Sequence, residues 1–209
     1  MQRPAECGIN SEIEAICLES VITAQQALFR LLEGNKKFCT QHYDVHPTAK
    51  KIQELVSGQH PFAAIVSCAD SRVPPNEIFD CDLGEIFVVR NAGNVIGNYD
   101  LGSIEYAVEH LHTPLVMVLG HRNCGAVASA YEWTGGTGAL ASIMDEVTPS
   151  VCRAREHAAE KQEIISMAEQ YNVENSLRRL RESPVLAALP EDAIVGAMYD
   201  IASGEVTLL

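Results

Sequence analysis

Positive charge is in short supply in this sequence. Its 209 residues carry 15 Lys and Arg against 28 Asp and Glu, a formal net charge of -13 at pH 7. Nucleic acids and anionic bilayers are bound through clustered Lys and Arg, so this balance argues against both as partners. The one dense basic stretch, Arg178, Arg179 and Arg181, is interleaved with Leu177 and Leu180 and reads as the solvated face of a helix. Long apolar runs are also missing. The run from Pro114 to Leu119 is among the longest, far short of the roughly 20 residues a membrane-spanning helix needs. Met1-Gln-Arg-Pro4 leads into no apolar stretch, so no secretory signal is visible and a cytoplasmic protein is expected. No Cys-x-x-Cys pair occurs among the seven cysteines, Cys7, Cys17, Cys39, Cys68, Cys81, Cys124 and Cys152. That leaves a thioredoxin-like redox site without support, and an odd count at irregular spacing argues against a disulfide framework. Some of these thiols are expected to be metal ligands and most to be ordinary buried residues.

What is present is the composition of a soluble globular protein, 47% hydrophobic and 21% charged, at a length that suits one domain. An N-terminal segment, 1–26, carries little signal beyond partial helicity, and a single domain is expected over 27–209. Short apolar runs alternate with helical stretches, the pattern of an α/β fold with a mainly parallel sheet, flanking helices and an N-terminal helical arm. Strands are predicted at Phe62–Cys68, Glu85–Arg90, Pro114–Gly120 and Ala193–Tyr199, with a final hairpin through Ser203-Gly204 into an antiparallel edge strand at Glu205–Leu209. Helices are predicted over Ser20–Thr40, from Leu101 with Asp100 as its cap, over Gly125–Trp133, over Ala139–Gln170 with a break at Thr148-Pro149, and over Val173–Glu182.

Two segments end predicted strands and carry chemistry. Cys68-Ala-Asp-Ser-Arg72 follows the first strand, and His121-Arg-Asn-Cys124 follows the third. Open parallel sheets bind ligands in the crevice beyond the strands' C-terminal ends, so neighbouring strands would bring Cys68, His121 and Cys124 together. Two thiolates and one imidazole suit Zn2+, and three protein ligands leave the fourth tetrahedral position open, as catalytic zinc requires. Asp70 and Arg72 lie close enough to orient a metal-bound water, with Arg72 holding the carboxylate by a two-pronged pair. Each segment alone also suits a plainer reading: a cysteine filling a strand end, or a turn with a surface ion pair.

The chain resembles the β-class carbonic anhydrases through Cys68-Ala-Asp-Ser-Arg-Val-Pro74, Phe87-Val-Val-Arg-Asn-Ala-Gly93, Gly102-Ser-Ile-Glu-Tyr-Ala107 and Gly120-His-Arg-Asn-Cys-Gly-Ala126, over roughly Ala27 to Leu209. The resemblance implies that Cys68, His121 and Cys124 bind Zn2+, that Asp70 and Arg72 form the catalytic dyad, and that CO2 is hydrated reversibly to bicarbonate. It further implies that Gln59 reaches the active site of a neighbouring subunit, that Phe87 and Tyr106 line the substrate pocket, and that the chain assembles as a homodimer or homotetramer. One bacterial subgroup has a Trp three residues before the first Cys, part of an inhibitory bicarbonate site with an Arg and a Tyr. Here Ile65 stands in that place, with Arg90 and Tyr199 retained, which favours the plant-like subgroup with water as the fourth ligand. Relatives hydrolysing COS or CS2 with the same ligands, and non-catalytic scaffolds of the same family, are the alternatives. The presence of all five metal and dyad residues argues against the scaffold.

Overall fold

A computed structural model describes residues 22–41 and 49–209. Most of the expected N-terminal segment, with Cys7, Cys17 and the start of the first predicted helix, lies outside the described residues.

Helix α1 (Ala24–Cys39) opens at Thr23, whose hydroxyl oxygen accepts from the Gln26 amide while the Gln26 side chain accepts from the Thr23 amide. That reciprocal cap satisfies two of the orphan donors of a helix start. A short helix, α2 (Ala49–Glu54), precedes strand β1 (Ala63–Cys68). There follow α3 (Pro75–Ile78), β2 (Ile86–Asn91), α4 (Asn98–Glu109), β3 (Val116–His121), α5 (Gly125–Tyr131), α6 (Ala139–Arg155), α7 (Lys161–Arg181), β4 (Ile194–Tyr199) and β5 (Val206–Leu208). Among the described residues the strands form one sheet in the order β2-β1-β3-β4-β5, parallel except for β5, which runs antiparallel to β4. The α/β architecture and all five expected strands are present.

The central strands are buried on both faces, so their residues are apolar without alternation. Ala63, Ile65, Met117, Leu119 and Ala197 face α1 and α3 on one side of the sheet. Ala64, Val66, Val116, Val118 and Met198 face α4 and α7 on the other. A third apolar cluster stands beyond the strands' C-terminal ends, where α5, α6 and α7 pack Val127, Met144, Val147, Val151, Ile165 and Ala168 around Cys68 and Cys124.

Two helix boundaries differ from the sequence reading. Helix α6 runs unbroken through Pro149, and the break comes later, between Arg155 and Lys161, so that α7 is one continuous helix across residue 170. Proline removes the bond to the carbonyl four residues earlier, that of Asp145; both residues are exposed, so water can satisfy what the helix loses. Met144, Val147, Val151 and Ala154 meanwhile keep the same face buried on both sides of the proline. The helix expected from Leu101 begins at Asn98. Asp100 sits inside its first turn, accepting from the Gly97 amide at 2.9 Å and from Asn91 Nδ2 at 2.9 Å. A carboxylate there also favours the positive helix end.

Helix α7 lies close against the sheet because glycines make room for it. A β-carbon on Gly120 would stand 2.4 Å from Val173 Cγ2 and 2.8 Å from Met198 Sδ, and one on Gly196 would stand 2.8 Å from Leu177 Cδ1. Val173 is β-branched and buried in a helix, so it has no alternative rotamer to retreat into. Gly120→Ala is therefore expected to cost about 1–3 kcal/mol of stability by overpacking, read as a lowered denaturant midpoint. A midpoint equal to that of the parent chain would show that the helix yields freely.

Candidate metal centre

The sheet order creates the site. From β1 the chain moves outward to β2, then returns across β1 to lay β3 on its other side. The strand order reverses between β1 and β3, which is where open α/β sheets leave a crevice at the C-terminal ends of their strands. Cys68 is the last residue of β1 and His121 the last of β3, and Cys124 follows after a turn in which Asn123 adopts a φ of 58°. The ligand atoms of Cys68, His121 and Cys124 lie within 4.8 Å of one another, and all three residues are buried.

The donor set fits a metal ion. His121 Nδ1 stands 3.0 Å from the Arg122 carbonyl oxygen, which can only accept, so Nδ1 carries the proton and Nε2 presents a lone pair. That Nε2 is buried and without a hydrogen-bond partner among the described residues. An orphaned buried acceptor beside two sulfurs is what a site shaped for a cation leaves when the cation is taken away. Cys124 beside it lowers the Cys68 thiol against the pull of burial, helped by His121 and the Gly93 amide. Cys68 and burial push Cys124 up. Burial pushes the His121 imidazole down, but the adjoining Cys68 thiolate outweighs it and the net shift is upward.

Asp70 and Arg72 form the expected two-pronged pair. Arg72 Nε donates to Asp70 Oδ1 at 2.9 Å, Nη2 donates to Oδ2 at 2.7 Å, and the Arg72 amide donates to Oδ1 at 3.0 Å. These bonds hold the Asp70 carboxyl well below the ordinary carboxylate range. Arg72 Nη2 also donates to the Asn123 carbonyl at 3.3 Å, which ties the loop after β1 to the loop after β3. Arg90 donates to the carbonyl oxygens of Cys68 at 3.1 Å and Asp70 at 2.7 Å, and so fixes the backbone of the Cys-x-Asp segment.

The remaining predicted site residues stand elsewhere. Phe87 and Tyr106 do meet, with ring centroids 6.3 Å apart, and Tyr106 is 47% exposed. Phe87 pairs with Ala64, four positions before the Asn91 that stands beside Cys68, which at 3.3 Å per residue is about 13 Å along the strand. Gln59 is exposed and precedes β1, at the opposite edge of the sheet from the cysteine that ends it. One chain therefore does not bring Gln59, Phe87 and Tyr106 to its own cysteine and histidine cluster. His110 and His112 are exposed.

Sequence reasoning missed the side chains that hold the loops after β2 and β3. Glu169 on α7 accepts from the Cys124 amide at 3.0 Å, and Asn172 donates to the Gly93 carbonyl at 2.6 Å. Asn91 closes its own turn by bonds to Val95 N and O and to Asp100. The available signal was periodic: Glu169, Asn172 and Ser176 fall in register with the apolar face Ile165, Ala168, Val173 and Leu177.

Comparison with known proteins agrees with this geometry. The family model described as carbonic anhydrase matches residues 63–206. Carbonic anhydrase 2 of Mycobacterium tuberculosis is 38% identical over 188 residues, covering 85% of this chain and 89% of that protein. The β-carbonic anhydrase of Coccomyxa, solved with acetazolamide, superposes with a TM-score of 0.69 at 29% identity over 87% of this chain and 86% of that one. A tetrameric β-carbonic anhydrase of Sordaria macrospora gives 0.66 at 26% identity, over 96% of this chain and 98% of that one. With a shared sequence signature over most of its length, and the same fold around a buried Cys, His and Cys cluster, the chain belongs to the β-class carbonic anhydrase family.

Proposed function

We propose that this chain catalyses the reversible hydration of CO2 to bicarbonate and a proton, using Zn2+ held by Cys68, His121 and Cys124. The observation that carries the reading is the convergence of two buried sulfurs and an unpartnered imidazole nitrogen at the point where the strand order reverses. When bound, zinc supplies the Lewis acidity that makes water a nucleophile near neutral pH. Two thiolates donate more negative charge than imidazoles do, which sets that acidity at or above the roughly pH 7 of an all-histidine site.

The chain's own residues supply orientation. Asp70 is ionised across the working pH range, and a carboxyl held so low is a poor base. Its role is therefore to accept a hydrogen bond from the reacting water at Oδ2, which receives a single bond from Arg72, rather than to store the proton. Arg72 keeps it in place, and Arg90 keeps the backbone beneath it. This supports the plant-like subgroup. Asp70 is engaged by Arg72, and Ile65 is fully buried in β1 where a Trp would stand.

Gln59, Phe87 and Tyr106 belong, on this reading, to the site of a second copy of the chain. Their distance from their own cluster and the exposure of Gln59 and Tyr106 support it. The assembly is then a dimer at least, with a tetramer as the larger form. The catalytic domain is taken as 27–209, and no helix among the described residues is long and apolar enough to cross a membrane. A cytoplasmic location is part of the same proposal.

Cys68→Ala is expected to abolish stoichiometric zinc, measured by elemental analysis, and CO2 hydration with it; undiminished metal and turnover would discard the assignment. Asp70→Ala is expected to retain zinc and lose about 10²–10⁴-fold in CO2 turnover. Turnover should climb between pH 6 and 9 and exceed COS turnover, whereas a flat profile would contradict the two-thiolate site. Shared sites predict complementation: mixing inactive Gln59→Ala and Cys68→Ala chains under exchange should restore activity, because one site of each mixed dimer is whole. Mixtures no more active than their parts would place Gln59 outside the reaction.

A further inference from the structure

Helix α7 carries polar side chains on a face that is otherwise apolar. Glu169, Asn172 and Ser176, spaced three and four residues apart, are each exposed by 4% or less. Their neighbours on that face are Ala168, Val173, Leu177 and Leu180. A buried carboxylate is unfavourable unless it is bonded, so its presence in this row needs a partner that repays desolvation.

The partners lie in two loops at the metal-binding cluster: the loop after β3, which carries Cys124, and the loop after β2, whose Gly93 amide faces Cys68. Glu169 Oε1 accepts from the Cys124 amide at 3.0 Å, and Oε2 stands 3.6 Å from Arg122 Nη1. Arg122 in turn donates to Ser166, one turn earlier on the same helix, at the carbonyl (2.9 Å) and the hydroxyl (3.0 Å). On the other loop, Asn172 Nδ2 donates to the Gly93 carbonyl, and Ser176 Oγ donates to the Asn94 carbonyl at 2.8 Å. The Gly93 amide itself points at Cys68 Sγ, at 3.4 Å. Between these contacts Val173 seats the helix against Gly120, the residue before His121. One rigid element thus grips the backbone beside each of the three ligands. The grip on Cys124 matters most. The residue before it, Asn123, sits in the left-handed region that L-residues seldom adopt, and such a turn persists only when its surroundings hold it.

We propose that Glu169 is a positioning residue for the metal: by accepting the Cys124 amide proton it fixes where Cys124 Sγ stands relative to Cys68 and His121. Asn172 plays the matching part for the Gly93 amide that faces Cys68. The inference rests on reading Cys68, His121 and Cys124 as the metal ligands. The role belongs to the carboxyl oxygen as an acceptor, not to its charge.

The test measures zinc affinity of the full chain by competition with a chelator, together with the visible spectrum of the Co2+-substituted protein. Glu169→Ala is expected to lower affinity about 10–100-fold and to change the tetrahedral d–d and thiolate bands. Glu169→Gln keeps a carbonyl oxygen as acceptor and should restore most of the affinity and the parental spectrum. Asn175→Ala is the control, since it removes a 2.8 Å bond from the same helix to Ser150 and touches neither loop; it should leave zinc affinity unchanged. If Glu169→Ala does not fold, Asn172→Ala reads the same grip from the other loop and should weaken zinc in the same range. Parental affinity in whichever of these two variants is measured, equal losses in Glu169→Ala and Asn175→Ala, or a Gln variant as weak as the Ala variant would each overturn the proposal. A parent chain that binds no zinc would instead overturn the metal assignment itself.

Discussion

The pairing of β1 with β3 is the constraint from which the site follows. Ser67 lies opposite Leu119, so the residues that end the two strands, Cys68 and His121, emerge side by side at the same edge. Parallel pairing needs a long crossover, and here the crossover passes through β2 and α4 before returning. The return places β3 on the far side of β1 and opens a crevice at the reversal. Sequence positions 68 and 121, more than fifty residues apart, become neighbours through backbone hydrogen bonds rather than through any attraction between the ligands themselves.

Holding that crevice in shape falls to groups that never touch a metal. Arg72 binds Asp70 and the Asn123 carbonyl, and Arg90 binds the carbonyl oxygens of Cys68 and Asp70. Asn91 and Asp100 close the loop that aims the Gly93 amide at Cys68. The bonds from Arg72 to Asn123, from Arg90, and from the Gly93 amide satisfy backbone groups beyond the strand ends, where the sheet can no longer do so. The polar network and the apolar cluster of α5, α6 and α7 share this place, so the ligands sit in a low-dielectric setting where their interactions are strengthened.

The cluster's electrostatics follow from that burial. Cys124 and His121 both lower the Cys68 thiol, Cys68 and burial push Cys124 up, and Cys68 raises the His121 imidazole against the pull of burial. Asp70 differs in kind, because its guanidinium partner holds it ionised. A thiol donor of the candidate metal cluster and an ionised carboxylate therefore stand two residues apart in opposite electrostatic surroundings.

The local features were legible because they depend on neighbours in sequence. The buried strands announce themselves as continuous apolar runs, the hairpin at Gly204 follows from its left-handed φ of 81°, and the soft ligand types at two strand ends mark a metal site. What needed the fold were choices between satisfied and unsatisfied backbone groups across long separations. Pro149 looked like a break, yet the carbonyl it orphans faces water and the apolar face of α6 continues past it. Asp100 looked like a cap, yet Asn91 draws it into the first turn of α4. Glu169 looked like one more acid in an acidic chain, and only the docking of α7 onto Gly120 and Gly196 brings it to the Cys124 amide. By itself the sequence determined which residues form the candidate metal cluster and which strands carry them, since side-chain chemistry and apolar periodicity are local. The tertiary structure decided how those residues are held, because a buried hydrogen bond is defined only when both of its partners have been placed.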